Sequence, residues 1–439
     1  MKKYESLKNK TIKGIAKDGL CTGCGTCISI CPHSAIELTI DAQKGIYLPY
    51  IKEKECNQCG TCVDVCPGHA VDFKSLNLSI FGQELRDNLL GNHINCYVGH
   101  ATDYDIRYNS ASGGLVTALL VFALEEGLID GALVTRMKKD NPLEPEPFIA
   151  RTREEIISAS KSKYCPVPAN IALKEILLRE GKYAVVGLPC HLHGLRKAQM
   201  INSKLKQRVV LELGIFCGGG ISFLGTEFWL KKIGISKEEV EKIDYRGEGW
   251  PGSMTIQLKN NKKKESHLYY YYYNRGFNCF VPWRCTLCWD RTAELADISF
   301  GDAWLSEIIK NDKIGSSIIV SRTMQGENII EQMISRNAVK FDSINHNKVL
   351  ESQRGFFWQK SDFKLRRDFL RFFNKKVPYY NNDDLLLNPI LNAYLNSLIF
   401  YLRRFFVSKS GLLWALYSLN ALMGLCGKIK RKVKNIIQR

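Results

Sequence analysis
Two four-cysteine runs constrain this chain more than any other feature. They are "CTGCGTCISICP" at 21–32 and "CNQCGTCVDVCP" at 56–67, and each reads C-x2-C-x2-C-x3-C-P. In such a run three closely spaced thiolates wrap one cube of iron and sulfide, while the fourth, before the proline, reaches a second cube. This assigns Cys21, Cys24, Cys27 and Cys66 to one 4Fe-4S cluster, and Cys56, Cys59, Cys62 and Cys31 to another. Gly23, Gly25 and Gly60 suit a backbone that turns tightly and points N–H groups at sulfur. Pro32 and Pro67 stop the short helical turns. A pair of zinc knuckles is the competing reading, but zinc prefers separated ligand pairs. An α+β ferredoxin-like dicluster domain is therefore expected over 1–75. The link between the runs reads as a short strand pair or loop.

The chain has 439 residues and 16 cysteines. Its start lacks the apolar core of a signal peptide. Cysteines grouped as C-x-x-C then point to metal or redox chemistry in a reducing cytosol rather than to disulfides. The formal net charge is +18, yet residues 385–439 carry nine Lys or Arg and no Asp or Glu, so half of it lies in the last 55 residues. The overall charge is thus poor support for nucleic-acid binding, and no zinc-finger, RRM or helix-turn-helix signature accompanies it.

From about residue 96, strands alternate with helices. "ALEEGLIDGALVTRM" reads as helix end, Gly turn and strand. Buried strands are expected at Tyr183 to Leu188 and at Val209 to Phe216, each followed by a loop and a helix. The pattern predicts an α/β domain with a largely parallel or mixed sheet. Cys190 and Cys217 fall just after these strands, where such sheets place ligands. If the strands are neighbours, their ends lie about 5 Å apart. "WRCTLCWD" at 283–290 supplies Cys285 and Cys288. Together the four could hold a third 4Fe-4S cluster. Cys279 and, less so, Cys165 compete for a place, and a lone cysteine is often only a small buried residue. "NSASGGLVTALL" has Ser110, Ser112, Gly113 and Gly114 opening an apolar helix, a start that favours an anion. "CGGGIS" at 217–222 has the same form.

The stretches "SASGGLVTALL", "SKSKYCPVP", "VVGLPCHLHGLRK", "ELGIFCGGG", "IDYRGEGWPG" and "RCTLCWDRTAELADISFGDAW" resemble, in order, the coenzyme F-420 hydrogenase/dehydrogenase beta-subunit family over about 96–340. Fusion to a dicluster ferredoxin is an arrangement of that family. The resemblance implies FAD and one 4Fe-4S cluster on an α/β domain, and it favours Cys190, Cys217, Cys285 and Cys288 as the cluster's ligands. It also implies that the FAD pyrophosphate lies at Ser112 to Gly114, with Lys161, Ser162, Lys163 and Tyr164 near the flavin ring or ribityl chain. Two features depart from the family: the tyrosine run at 269–273, and everything after about residue 345.

The expected function is that of an iron–sulfur flavoprotein oxidoreductase, converting between one-electron transfer and two-electron chemistry on an organic substrate. The alternative is a relay subunit without its own substrate, working between ferredoxin and a partner enzyme. A redox partner protein or ferredoxin is implied in either case. Substrate candidates are coenzyme F-420 and a small-molecule, glycan- or lipid-linked intermediate. Abundant Lys, Ile and Asn suggest a bacterium, which weighs against F-420. His191 and His193 are expected to pack at a helix start, and Asp297 and Asp302 to cap or turn the chain. Arg246 pairs with an anion of a ligand or in a surface salt bridge. No catalytic residue is assigned. Domains are expected at 1–75, 96–345 and 346–439, the last helical and basic. Within it, 385–402 and 410–427 are free of charge but polar for spanning helices. The basic end suits either a packed lid or peripheral contact at the inner membrane face. The expected location is cytoplasmic.

Overall fold
The computed structural model describes residues 11–273 and 280–381. Cys279, the charge-free segments and the basic end lie outside these residues. In the N-terminal dicluster domain the sequence repeat becomes a structural repeat. Gly25 and Gly60, at φ 86° and 81°, open short helices at Thr26–Ser29 and Thr61–Asp64. A side chain rarely adopts that left-handed backbone, so glycine is needed at both positions. The link forms an antiparallel hairpin, β1 (Ile36–Asp41) and β2 (Ile46–Ile51), in which Ile36 faces Ile51. The helix Ile12–Lys17, capped by the Thr11 hydroxyl, drops Ile12 and Ile15 into a small core with Leu20, Ile36, Val63 and Cys66. A two-residue strand, β3 (Ala70–Val71), follows.

The α/β domain is built on one eight-stranded mixed sheet. Its strands are β4 (Asn95–Ala101), β5 (Gly131–Met137), β6 (Pro145–Ala150), β7 (Tyr183–Gly187), β8 (Val209–Ile215), β12 (Ile298–Asp302), β13 (Ser317–Ser321) and β14 (Val339–Ile344), in the order β14-β4-β13-β12-β8-β7-β5-β6. β5, β7, β8 and β12 are parallel neighbours. They form the buried centre, whose apolar runs fit coverage on both faces. Antiparallel β13, β4 and β14 finish one edge and β6 the other. A separate antiparallel sheet joins β9 (Val240–Asp244), β10 (Ser253–Leu258) and β11 (Lys263–His267).

β7 and β8 end one residue earlier than expected. Leu188 turns out as the cap of the helix Pro189–Ile201, with proline pre-set at its start. Phe216 continues only one backbone bond to Phe300. Past β14 run the helices His346–Ser352, Arg354–Ser361 and Phe363–Phe372. The chain then returns to the N-terminal domain, where β15 (Tyr379–Tyr380) pairs in parallel with β3. Among the described residues, no helix is long and apolar enough to cross a membrane.

Candidate functional site
The fourteen cysteines of the described residues are all free thiols. Eleven of the twelve singled out from spacing fall into three sets of thiols that act on or face one another, and Cys56 joins the second set by its run alone. In the first, burial pushes the Cys21 thiol up to about 12, with Cys66 and Cys24 adding to the shift. Burial also raises Cys27, which feels Cys24, Cys66 and Cys21, and beyond them Cys62. In the second, burial raises Cys62 to about 11, with Cys59 and Cys31 adding. Cys59 is exposed. The two sets share local geometry: Cys24 Sγ lies 3.3 Å from the Thr26 hydroxyl, and Cys59 Sγ 3.3 Å from that of Thr61. Backbone N–H groups of Gly23 and Ala35 point at the sulfurs of Cys21 and Cys31.

The third set forms where β7 and β8 end side by side. Cys190 sits in the first turn after β7, and Cys217 follows β8. Burial raises Cys190 well above its usual range, and Cys24, Cys217, Cys285 and Cys288 each add to it. Cys217 rises to about 12 through burial and then Cys285. The glycines of "CGGGIS" lie against the Cys285 turn. A Cβ on Gly220 would stand 3.8 Å from Cys285 Sγ, and one on Gly219 would press on Val281 at 3.0 Å. Cys165 is not in the set; it is buried beside Tyr245 and Lys163.

The sets are contiguous. Cys62 of the outer set acts on Cys27 of the middle set, and Cys24 of the middle set acts on Cys190 of the central one. Asn170 ties the junction: its amide donates to the Thr26 hydroxyl at 2.7 Å and to the His191 carbonyl at 2.8 Å, and its N–H to the Cys24 carbonyl at 2.9 Å. Gly194 packs so tightly on Thr26 that a Cβ would meet the hydroxyl at 2.2 Å.

Three cations flank the middle and central sets, Arg284 and Arg291 buried and Lys197 partly buried. Arg284 donates to the carbonyls of Gly68, Pro67 and Leu287 at 2.6, 3.0 and 3.0 Å, and to the Tyr380 hydroxyl at 2.7 Å. Lys197 donates to the carbonyls of Cys66 and Ala70 at 2.7 and 2.8 Å, and Arg291 to that of Cys285 at 3.0 Å. None of these acceptors is a carboxylate. Burying cations among neutral groups is costly unless an anion is nearby. A cluster held by four thiolates is such an anion. The cations, the converging thiols and their sulfur-directed N–H groups therefore fit iron–sulfur clusters. Among the described residues, no three His, Cys, Asp or Glu side chains gather around a single-ion point.

The segments singled out for FAD lie on two sides of one loop, residues 245–252. On one side, Ser112 Oγ is 2.6 Å from Ser317 Oγ, and the Gly113 N–H donates to that same hydroxyl at 2.9 Å. Ser110 bonds back to the Ile106 carbonyl. Gly114, at φ 75°, caps the helix Leu115–Glu125 without a side-chain bond. On Gly315, a Cβ would be 2.7 Å from the Ser112 carbonyl and 3.1 Å from Trp250. On the other side, Lys161 pairs with Asp244 at 2.9 Å and lies against Gly247. Ser162 and Arg246 both bear on the Tyr164 hydroxyl. Lys163 differs from its expected role. Its ammonium is held by the carbonyls of Ala159, Ser160 and Lys161, and burial lowers it to about 7.

Between the two segments, buried Arg246 and half-buried Asp302 form a bidentate pair at 2.8 and 3.0 Å, and Asp302 also accepts from the Trp250 indole at 3.0 Å. Asp302 is thus neither cap nor turn, and Arg246 neither reaches the surface nor stands free. Asp297 takes the N–H of Glu212 and the hydroxyl of Thr323. His191 caps its helix through the Leu188 N–H, as expected, and His193 bonds Asp290 at 2.8 Å. Sequence reasoning named Tyr164 here but gave no role to Trp250, Trp304 or Tyr272. Trp250 stacks near Trp304 at 4.6 Å, and Tyr164 meets Tyr272 at 5.1 Å. Tyr272 also reaches toward Gly218, next to Cys217. The tyrosine run, and the quoted stretches that contain Trp250 and Trp304, held the signal for this.

These features define an iron–sulfur electron-transfer protein of the oxidoreductase class. Residues 20–70 match a "4Fe-4S dicluster domain". Residues 96–174 and 180–347 match the amino-terminal and carboxyl-terminal halves of the family described as "Coenzyme F420 hydrogenase/dehydrogenase, beta subunit". The coenzyme F420 hydrogenase subunit beta of Methanothermobacter thermautotrophicus is 31% identical over 257 residues, 56% of this chain and 83% of that protein. A coenzyme F420-dependent sulfite reductase of Methanocaldococcus jannaschii is 27% identical over 380 residues, 83% of this chain and 53% of that protein. A chain of the F420-reducing [NiFe] hydrogenase complex from Methanosarcina barkeri superposes with a TM-score of 0.54 at 25% identity, over 66% of this chain and 98% of that one. The chain belongs to the coenzyme F420 hydrogenase/dehydrogenase beta-subunit family.

Proposed function
We propose that this chain converts between one-electron and two-electron transfer. In this reading Cys21, Cys24, Cys27 and Cys66 ligate the middle 4Fe-4S cluster, and Cys31, Cys56, Cys59 and Cys62 the outer one. Cys190, Cys217, Cys285 and Cys288 ligate the central cluster. The dicluster unit spans 1–75 and the converting unit 96–345. The observation that carries the proposal is the contiguity of the three sets, from exposed Cys59 to Cys217, with Tyr272 and Tyr164 continuing to the loop at 245–252.

A bound FAD would supply the two-electron step on an organic substrate, and the clusters the single-electron steps. The start of the helix Leu115–Glu125, beside Ser112, Gly113 and Gly114 and without a side-chain cap, suits the pyrophosphate. Lys161, Ser162 and Tyr164 suit the flavin side. Lys163 acts by holding its own loop. Anaerobic counting of iron, sulfide and released flavin tests the reading. About twelve iron and one FAD per chain is expected; about eight iron without flavin would contradict it.

A second reading, a relay subunit without its own substrate, is favoured by the likeness to a chain of a hydrogenase complex. It predicts clusters reduced by a partner protein with no flavin released.

A further inference from the structure
We infer that Arg284 is a positioning residue whose fixed charge draws electrons inward, from the outer cysteine set to the middle and central sets. Its guanidinium lies between the Cys66–Pro67–Gly68 turn and the Cys285–Cys288 turn, held by three carbonyls and the Tyr380 hydroxyl. Tyr380 in turn donates to the Leu287 carbonyl at 3.1 Å, so β15 fixes the guanidinium from the far side. No carboxylate neutralises it among these partners. Its field reaches Cys21 and Cys288, one from each inner set. Lys197 adds a second charge at the Cys66 carbonyl. Around the outer set, Cys59, Cys31 and backbone N–H groups act on Cys62, Asp64 acts on Cys59, and Lys174, which donates to the Ser34 hydroxyl at 3.0 Å beyond Cys31, is exposed.

The direction follows from charge. A thiolate-bound cluster that accepts one electron gains one negative charge, with no bond broken and no proton moved. Burial alone disfavours that added charge, and would leave the inner sets harder to reduce than the exposed outer one. A fixed cation opposes this, because neighbouring charge sets cluster potentials along with sulfur hydrogen bonds and exposure. Arg284 thus offsets the burial that insulates the inner sets. For the central set the inference rests on the ligand reading proposed above. For the middle set it rests on the dicluster run alone.

The test is a redox titration followed by electron paramagnetic resonance on the anaerobically reconstituted full chain. The outer signal is the one broadened by a water-soluble paramagnetic relaxer. Arg284→Met is expected to lower the partition of an electron toward the inner sets at least tenfold, about 59 mV for one electron, with the outer midpoint unchanged. Arg284→Lys restores most of the shift. Unmoved inner midpoints with full iron content, or an equal shift in Arg284→Lys, would overturn the inference. Should Arg284→Met fail to hold iron, Arg284→Gln, which keeps N–H donors for the Pro67 and Gly68 carbonyls without the charge, carries the same test, and an unmoved middle midpoint overturns it. A wild-type chain with about eight iron would sink the central ligand reading, leaving the middle midpoint to decide the role of Arg284.

Discussion
The two cysteine runs are near copies in sequence and opposites in surroundings. Around Gly25 of the first, a Cβ would strike Ile171 at 2.7 Å, while nothing stands within 4 Å of the equivalent point on Gly60. The first run is clamped between Asn170 and Gly194, while Lys197 holds the Cys66 end of the second, whose other end carries exposed Cys59 and a surface contact between Asn57 and His33. Spacing therefore dictates which sulfurs can share a cluster. What surrounds the cluster depends on where the rest of the chain folds back.

The largest effect expected from this contrast comes from changing one ligand in each half. Cys285→Ser lowers iron from about twelve to about eight, and removing the counter-charge of buried cations costs about 3–5 kcal/mol in chemical unfolding. Cys59→Ser loses the same iron with a far smaller stability change. Equal destabilisation would break the comparison. Next is Asp302→Ala, which leaves Arg246 buried and unpaired and costs about 3 kcal/mol. Asn170→Ala cuts the junction and costs about 1–3 kcal/mol. Its exposed counterpart Asn57→Ala costs less than about 0.5 kcal/mol.

The smallest effect is on pH dependence. Burial raises Glu294 to about 7, against the pull of Lys360. The folded chain then keeps a proton that the unfolded chain releases near 4.5, so stability falls as pH rises from 4.5 to about 7. Unfolding midpoints across this window show a slope of at most about 1.4 kcal/mol per pH unit. Glu294→Gln flattens it; an unchanged slope would contradict the assignment.

The cysteine sets were legible in the sequence because their chemistry is local. Three ligands of each dicluster set lie within one short run and the fourth in its repeat, and Cys190 and Cys217 each follow a readable strand. The mixed sheet was legible only as a class, since β4 pairs with β13 through residues 226 apart, such as Asn95 and Ser321. Arg284 looked like a residue beside a cysteine; its partners Pro67 and Gly68 lie more than 200 positions away. Lys163 suggested a flavin contact because a lysine after a serine says nothing about three carbonyls closing over it. Arg246 and Asp302 were each noticed singly, and only β12 brings them together.

The contrast between an outer set that carries exposed Cys59 and a middle set that holds buried Cys24 and Cys66 is tested most directly by iron loss. The anaerobically reconstituted chain is exposed to a water-soluble chelator and oxidant, and bound iron is followed over time. Two phases are predicted, about four iron lost quickly and about eight slowly, with the exposed signal vanishing first. Loss of all iron in one phase, or loss of the inner signals first, would contradict it.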